Sequence, residues 1–416
     1  MKDKSKAGHG PTRRRVLSGI AAGAGALAAP SLILGGIRPA RAEAGTIRMM
    51  GGPTVALNDW SLFEKQTGLK MEFTPFNVDD VGALYNEILV NGAGERFDLI
   101  NTLAGVQKPL VQQGQVAQLD TAKLKNYAGI PETVKRSPVL YAGDGKDWSV
   151  PLYYNADSFG YYPEKLGLPR PPEALTWDVL LNDEATLGKA AIDGDNIALM
   201  IGGMYLKSRG LAEIGDPANM TASEVETAAN FLIERKKAGQ FRSLWKTYDE
   251  QVANFMNGEV VVQRCWEPAV KQVKAEGQDV EYATCSDFHI NWMHSTFMPV
   301  EAADRDNVDE IYKAIDWFIG GSYAAELAIL RGYTGSRMDL GLAYAEESGW
   351  SQEQIDAVKA NIVKVETKFL NPNYWIGGAP DDLAAHDAQM ARFRNAWRIP
   401  GGAGPDRHRP IRQEDA

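Results

Sequence analysis

Strand-like and helical stretches alternate from the forty-sixth residue onward, and that alternation limits the fold more than any other feature of the chain. A strand-like run over 46–50 is stopped by Gly51-Gly52-Pro53. A helical stretch reaches about Gln66, where Thr67-Gly68 punctuates it before a second strand over 70–73. A helix over about 79–90 and a strand over 97–100 follow. Short strands separated by helices of this length pair through crossovers, which predicts a largely parallel sheet with helices on both faces. Ligands of such sheets sit beyond the carboxyl ends of the strands, where loops and helix N-termini converge. The loops to watch are therefore Gly51-Gly52-Pro53-Thr54 and Asn101-Thr102-Leu103-Ala104-Gly105. Their glycines serve either tight turns alone or a close approach of backbone to another group.

A second α/β segment begins near Tyr153, after Trp148-Ser149-Val150-Pro151. It carries predicted helices over 223–237 and 248–256, a strand over 260–266 and another around 280–284. The run Phe297-Met298-Pro299-Val300 reads as a strand-like link, a helix is expected over 308–319, and the chain from Ser351 on reads as helical. The tail from Pro400 is rich in Gly, Pro and charge, the composition of a disordered end. No repeat with a period of 20 to 50 residues is visible.

The N-terminus has a different character. Thr12-Arg13-Arg14-Arg15-Val16-Leu17 precedes an apolar run over 19–34 and then Pro39-Ala40-Arg41-Ala42. A basic stretch, a short apolar stretch and A-x-A spacing predict an export signal, and the consecutive arginines point to the twin-arginine route. The other reading is a retained anchor. A spanning helix needs about 20 strongly apolar residues, and this run is shorter and interrupted by Pro30. Cleavage after Ala42 leaves 374 of the 416 residues. The signal holds eight basic residues and one acid, so its removal takes the formal charge from −10 to −17. An acidic body is a poor partner for nucleic acid or an anionic membrane. A length of this order suits two domains better than one core. The two cysteines, Cys265 and Cys285, permit one disulfide or two buried thiols, and they rule out a cysteine-rich scaffold.

The ordered landmarks together resemble the periplasmic solute-binding proteins of ABC importers, and within them the spermidine/putrescine-binding branch. The pieces that carry the resemblance are Leu62-Phe63-Glu64-Lys65-Gln66-Thr67-Gly68, Phe97-Asp98-Leu99-Ile100, Gly114-Gln115-Val116-Ala117-Gln118-Leu119-Asp120 and Trp148-Ser149-Val150-Pro151. Leu175-Thr176-Trp177-Asp178-Val179-Leu180, Phe255-Met256-Asn257-Gly258-Glu259-Val260 and Gly332-Tyr333-Thr334 complete the series in family order. The resemblance implies an α/β, two-lobed periplasmic-binding-protein fold, each lobe a mixed, mostly parallel sheet flanked by helices, with a ligand cleft between the lobes. Lobe 1 is expected over 43–152 and 298–345, lobe 2 over 153–297, and a C-terminal helical segment over 346–399 packs on both. The crossings between lobes would fall near 150–154 and 296–299. Closure around a solute would then be a hinge motion.

Position by position, the resemblance weakens in the pocket. Polyamine binders offer a Trp and a Tyr in the first loop, where this chain has Gly51-Gly52-Pro53-Thr54. Their Asp and Glu correspond to Ile192-Asp193-Gly194-Asp195-Asn196-Ile197, with Ile197 in place of the Glu, and their Trp-x-Asp turn to Trp292-Met293-His294. A long polyamine would leave buried ammonium groups unpaired, which is costly. A different solute is expected, carrying an amine, a quaternary nitrogen or both charges of a zwitterion.

The candidate ligand-binding residues are Thr54, Asn101, Thr102, Tyr154, Asp193, Asp195, Arg264, Trp266, Trp292, His294, Tyr333 and Trp375. Trp266 and Trp292 stand where the family stacks aromatics on its ligand, and a Trp face is worth about 0.5–2 kcal/mol to a cation above it; the alternative is a place in the core. Tyr154, Tyr333 and Trp375 divide between the same two roles. Arg264 precedes Trp266 by two residues, so strand alternation puts both on one face. Its guanidinium then either clamps a solute carboxylate or pairs internally with Glu267 or another acid. His294 either bonds the solute or ties a hinge loop in place. No metal site is expected, since His289 and His294 lack the spacing of a zinc helix, and no cofactor is expected.

The resemblance implies a receptor, with a small solute and an inner-membrane ABC permease as partners, working as a periplasmic monomer without nucleic acid. Two other functions compete. One is an enzyme on the same fold, like thiamin-degrading enzymes with a cleft cysteine, although alternation turns Cys265 away from the face of Trp266. The other is a receptor that signals to a membrane sensor.

Overall fold

The computed structural model describes residues 45–397 apart from 79, 370–372 and 379. The predicted export signal and the tail from Pro400 lie outside the described residues. The chain forms two α/β lobes whose strands belong to one curled mixed sheet.

The first lobe is built from β1 (Thr46–Gly51), β2 (Lys70–Pro75) and β3 (Leu99–Leu103), with α1 (Ser61–Thr67) and α2 (Val81–Leu89) as crossovers. β1 lies between β2 and β3 and pairs with both in parallel. Its side chains are mostly buried on both faces, as in a covered parallel sheet. Gly68 ends α1 in the left-handed region at φ 71°, where a side chain would be strained. β3 begins and ends two to three residues later than the sequence suggests. Phe97 caps a short helix, Asp98 is gripped by Arg48 and Arg305, and pairing with the later strand His289–Phe297 extends β3 to Leu103. Asn101 and Thr102 are thus strand residues and not a loop.

Two long strands join the lobes. β4 (Val150–Tyr161) is buried along its whole length, and its twelve residues span roughly 40 Å. After it come β5 (Ala174–Leu175), β6 (Ala190–Asp193), β7 (Phe241–Trp245) and β8 (Val262–Cys265). β9 (Glu281–Tyr282) pairs with β4, β10 (Thr284–Cys285) pairs with β5, and β11 (His289–Phe297) returns antiparallel to β4. The second lobe repeats the first lobe's pattern, with β6 between β7 and β8 and parallel to both.

Its helices are α3 (Asn196–Ser208), α4 (Ala222–Lys237), α5 (Tyr248–Met256) and α6 (Glu267–Ala275). Thr221 with Glu224 and Thr247 with Glu250 form capping boxes that start α4 and α5 where the sequence places them. β8 is shorter than the expected 260–266 because Trp266 caps α6 and Pro268 removes a donor at its first turn. β11 ends at Phe297, and Pro299 precedes a 3₁₀ turn over Val300–Ala302.

The chain re-enters the first lobe through α7 (Val308–Phe318) and α8 (Gly321–Arg331). β12 (Thr334–Gly335) pairs with β4, and α9 (Met338–Glu347) and α10 (Gln352–Lys368) follow. The end is not wholly helical. β13 (Asn373–Trp375) adds to β11 in parallel, and α11 (Leu383–Asn395) then packs on α3 and α4. Between them Gly377 and Gly378 meet Gly105 so closely that a Cβ on Gly377 would lie 2.1 Å from the Ala104 carbonyl. Cys265 and Cys285 are both free and buried, so of the two readings the thiol form is the one present.

Candidate functional site

The two crossing strands meet in a register that gathers aromatic rings. His294 of β11 sits opposite Tyr153 of β4, Trp292 opposite Asn155, and the register shifts between His294 and Ser295. Such an irregularity re-aims side chains. Tyr153 lies between two parallel rings, His294 at 4.9 Å and Tyr333 at 5.7 Å, and Trp292 stands edge-on to Tyr333 at 4.9 Å. The Tyr153 hydroxyl is 2.7 Å from Thr54 Oγ1, which ties the cluster to the turn after β1. Gly332 closes α8 at φ 71° and so delivers Tyr333 to the group.

His294 is held by its neighbours. Asn101 donates from Nδ2 to the Ser295 carbonyl at 3.0 Å, which leaves its Oδ1 to accept from His294 Nδ1 at 3.3 Å. Burial pushes the imidazole down to about 3, so it is neutral near pH 7. Gly51 is needed for a close approach, because a Cβ there would fall 2.6 Å from Asn101 Cβ.

A cavity of about 450 Å³ opens beside this cluster. Thr54, Leu330, Arg331 and Tyr333 line it from the first lobe, and Tyr248, Trp266 and Pro268 from the second. Trp266 stacks on Tyr248 at 6.5 Å with 12° between planes, while its backbone N–H donates to Gln251 Oε1 at 2.9 Å. A volume of this order and mostly apolar walls suit a small organic molecule. Behind the cavity, Lys364 of α10 donates to Glu267 at 2.7 Å, to the Gly332 carbonyl at 2.8 Å and to Asn155 Oδ1 at 3.2 Å. Burial works against ionisation of Glu267, but Lys364, Lys368 and Lys271 outweigh it and hold the carboxyl at about 2.

Arg264 does not accompany Trp266 into the cavity. Trp266 lies past the end of β8, so the alternation that would align the two is broken there. The guanidinium is fully buried and bonds Asp193 Oδ1 at 2.8 Å and Asp157 Oδ2 at 2.9 Å, an internal pairing in which Glu267 has no part. Burial lifts both carboxyls despite the arginine, Asp193 to about 8. With one cation for two acids, the cluster is most stable when it retains a proton.

The remaining candidates are dispersed. Asp195 caps α3 by accepting from the Ile197 N–H, and Thr102 donates to the Leu103 carbonyl. Tyr154 projects to the other face of β4 from Tyr153 and meets Phe369 edge-on. Trp375 of β13 packs against Phe369 at 5.8 Å. Tyr153 joins the ring cluster and Tyr248 and Arg331 line the cavity, and none of the three is among the sequence candidates. Adjacent tyrosines at 153 and 154 gave no pattern to choose between, whereas the placement of Arg331 at a helix end before Gly332-Tyr333 was a usable signal. Burial pushes the Cys265 thiol well up, so it is no nucleophile at neutral pH. Among the described residues no group of His, Cys, Asp and Glu could hold a metal ion, and no helix is long and apolar enough to cross a membrane.

Comparison with known proteins agrees with this architecture. The model of a family described as bacterial extracellular solute-binding proteins matches residues 61–366. Spermidine/putrescine-binding periplasmic protein 1 of Haemophilus influenzae is 21% identical over 296 residues, covering 68% of this chain and 73% of that protein. Among solved structures, the spermidine/putrescine ABC transporter substrate-binding protein PotD of Streptococcus pneumoniae superposes with a TM-score of 0.64 at 12% identity, over 85% of this chain and 99% of that one. A GABA receptor does so with a TM-score of 0.58 at 14% identity, over 87% and 100%. With the family match spanning most of the sequence on a two-lobed fold, this chain belongs to the bacterial extracellular solute-binding protein family.

Proposed function

We propose that this protein captures a small polar organic solute, an amine, quaternary ammonium or zwitterionic compound, in its inter-lobe cavity and delivers it to the permease of an ABC importer. The observation that carries the reading is the cavity itself, with walls drawn from both lobes and three aromatic faces, Tyr248, Trp266 and Tyr333. Closing two lobes on one solute makes the closed state depend on contacts from both sides. A polyamine with several ammonium groups fits poorly, because among the described residues no carboxylate lines this cavity.

In this reading residues 43–152 and 298–345 form lobe 1, residues 153–297 form lobe 2, and the segment over 346–399 braces both. Trp266, Tyr333 and Thr54 touch the solute, while Trp292, His294 and Asn101 support them from behind. The protein works as a monomer in the periplasm, exported by the twin-arginine route with residues 1–42 as its signal, and it neither turns over its solute nor binds nucleic acid. Neutral, buried Cys265 speaks against a thiaminase-like reaction.

Isothermal titration of the protein, unfolded and refolded to strip bound solute, tests the proposal with polyamines, choline-like compounds, amino acids and opine-type conjugates. One-to-one binding of a member of the last three groups is expected, together with a decrease in radius of gyration on binding. Silence across all four groups would contradict it.

A further inference from the structure

The charge inventory of the cavity points to a more specific ligand. Of the seven described side chains that line it, only Arg331 is charged. None of the ion pairs among the described residues includes it. Its Nη2 donates to the backbone carbonyls of Ala56 at 3.0 Å and Pro53 at 3.4 Å, and its Nε is buried with no partner. The carbonyls fix the guanidinium plane without neutralising it. With Nη2 committed to the carbonyls and Nε buried, the charged group keeps Nη1 as the donor from which a carboxylate can accept.

We infer, on the reading that this cavity binds solute, that Arg331 is the specificity-determining residue and that the solute carries a carboxylate. Its carboxylate pairs with Arg331, and its other end, apolar or a cationic nitrogen, lies against Trp266 and Tyr248. Aromatic faces accept an ammonium or a quaternary nitrogen without a counter-charge. A carboxylate-free amine would bring a second cation beside an unpaired guanidinium with no lining acid to offset it. A cavity of about 450 Å³ holds a compound of amino-acid or betaine size. The acidic balance of the whole chain, −10 overall, makes this lone cation in the cavity a local device and not a reflection of bulk charge.

Two matched pairs test the inference by calorimetry on the stripped protein: glycine betaine against choline, and 4-aminobutyrate against putrescine. Each pair keeps the nitrogen and alters the carboxylate end. The carboxylate member of at least one pair should bind at least about tenfold more tightly than its counterpart. Arg331→Gln should remove that preference by weakening the carboxylate member at least about tenfold without weakening its counterpart, and Arg331→Lys should restore part of it. A circular-dichroism melt of each variant checks folding, and the wild-type preference needs no variant at all. Equal or tighter binding of choline and putrescine overturns the inference while leaving solute capture intact, as does equal weakening of both members of a pair by Arg331→Gln. Absence of binding by all four compounds would instead count against capture of small nitrogenous solutes, the reading on which the inference rests.

Discussion

Arg264 and Arg331 have opposite surroundings although both lie near the aromatic groups of the cleft. Arg264 is sealed between Asp157 and Asp193 beneath the floor of the second lobe. Arg331 reaches the cavity wall, and among the described residues its hydrogen bonds go to backbone carbonyls. A buried guanidinium with two acids has no capacity left for a solute and holds β4, β6 and β8 together. A guanidinium bonded only to neutral carbonyls retains its full charge for whatever enters. The difference shows that partners, and not proximity to a tryptophan in sequence, decide whether an arginine is structural or available.

The largest effect should come from the sealed arginine. Arg264→Ala leaves two buried carboxyls without a cation and is expected to cost about 3–5 kcal/mol, read by urea unfolding. Arg331→Gln should cost no more than about 1 kcal/mol, the scale of neutral hydrogen bonds. Comparable losses at both positions would break the distinction.

The dependence of stability on pH sharpens it. Burial raises the Asp193 carboxyl to about 8 in the folded protein, well above its ordinary value of 3.8. Its contribution is therefore complete below about pH 3.8 and is lost as pH rises through about 8. The buried imidazoles of His294 and His289 act in the other direction. Both are pushed down to about 3 from 6.5, so their contribution is present above about pH 6.5 and is lost as pH falls toward 3. Unfolding free energies measured across this range should lose their alkaline slope in Asp193→Asn and part of their acid slope in His294→Asn. Arg331→Gln should keep both slopes.

On the side of the cavity, Trp266→Ala should weaken solute binding by about 2 kcal/mol, roughly thirtyfold, with little change in melting temperature. A loss of stability without a loss of affinity would make Trp266 a core residue instead. The smallest expected effect is at the turn after β1. Thr54→Val removes the bond to Tyr153 and should cost about 1 kcal/mol, seen as a modest drop in the unfolding midpoint.

Much of the architecture was legible before the structure. The alternation of short runs and helices in the first hundred residues specifies the parallel lobe, and the two capping boxes fix where α4 and α5 begin. β11 was harder to read because a strand buried on both faces shows no alternation, and His289, Asn291 and Ser295 interrupt its apolar character. β13 was missed for a different reason. Three residues that add to an existing strand depend on their partner and not on a pattern of their own. Of the cavity-lining residues, Thr54 and Tyr333 are readable from the glycine turns beside them, and Trp266 from its place after a strand-like run where the family stacks aromatics. The choice of Tyr153 over Tyr154 rests on the register between β4 and β11, which no local pattern encodes. Arg264 misleads for the same reason, since Asp157 and Asp193 lie 107 and 71 residues away.

A crystal structure of the protein purified without unfolding, or saturated with glycine betaine or 4-aminobutyrate after stripping, tests the central claim most directly. The account predicts one solute between Trp266 and Tyr333, with its carboxylate on the Arg331 guanidinium and the Asp157–Arg264–Asp193 cluster undisturbed. Solute bound elsewhere, or a cavity holding only water under saturating solute, would contradict it.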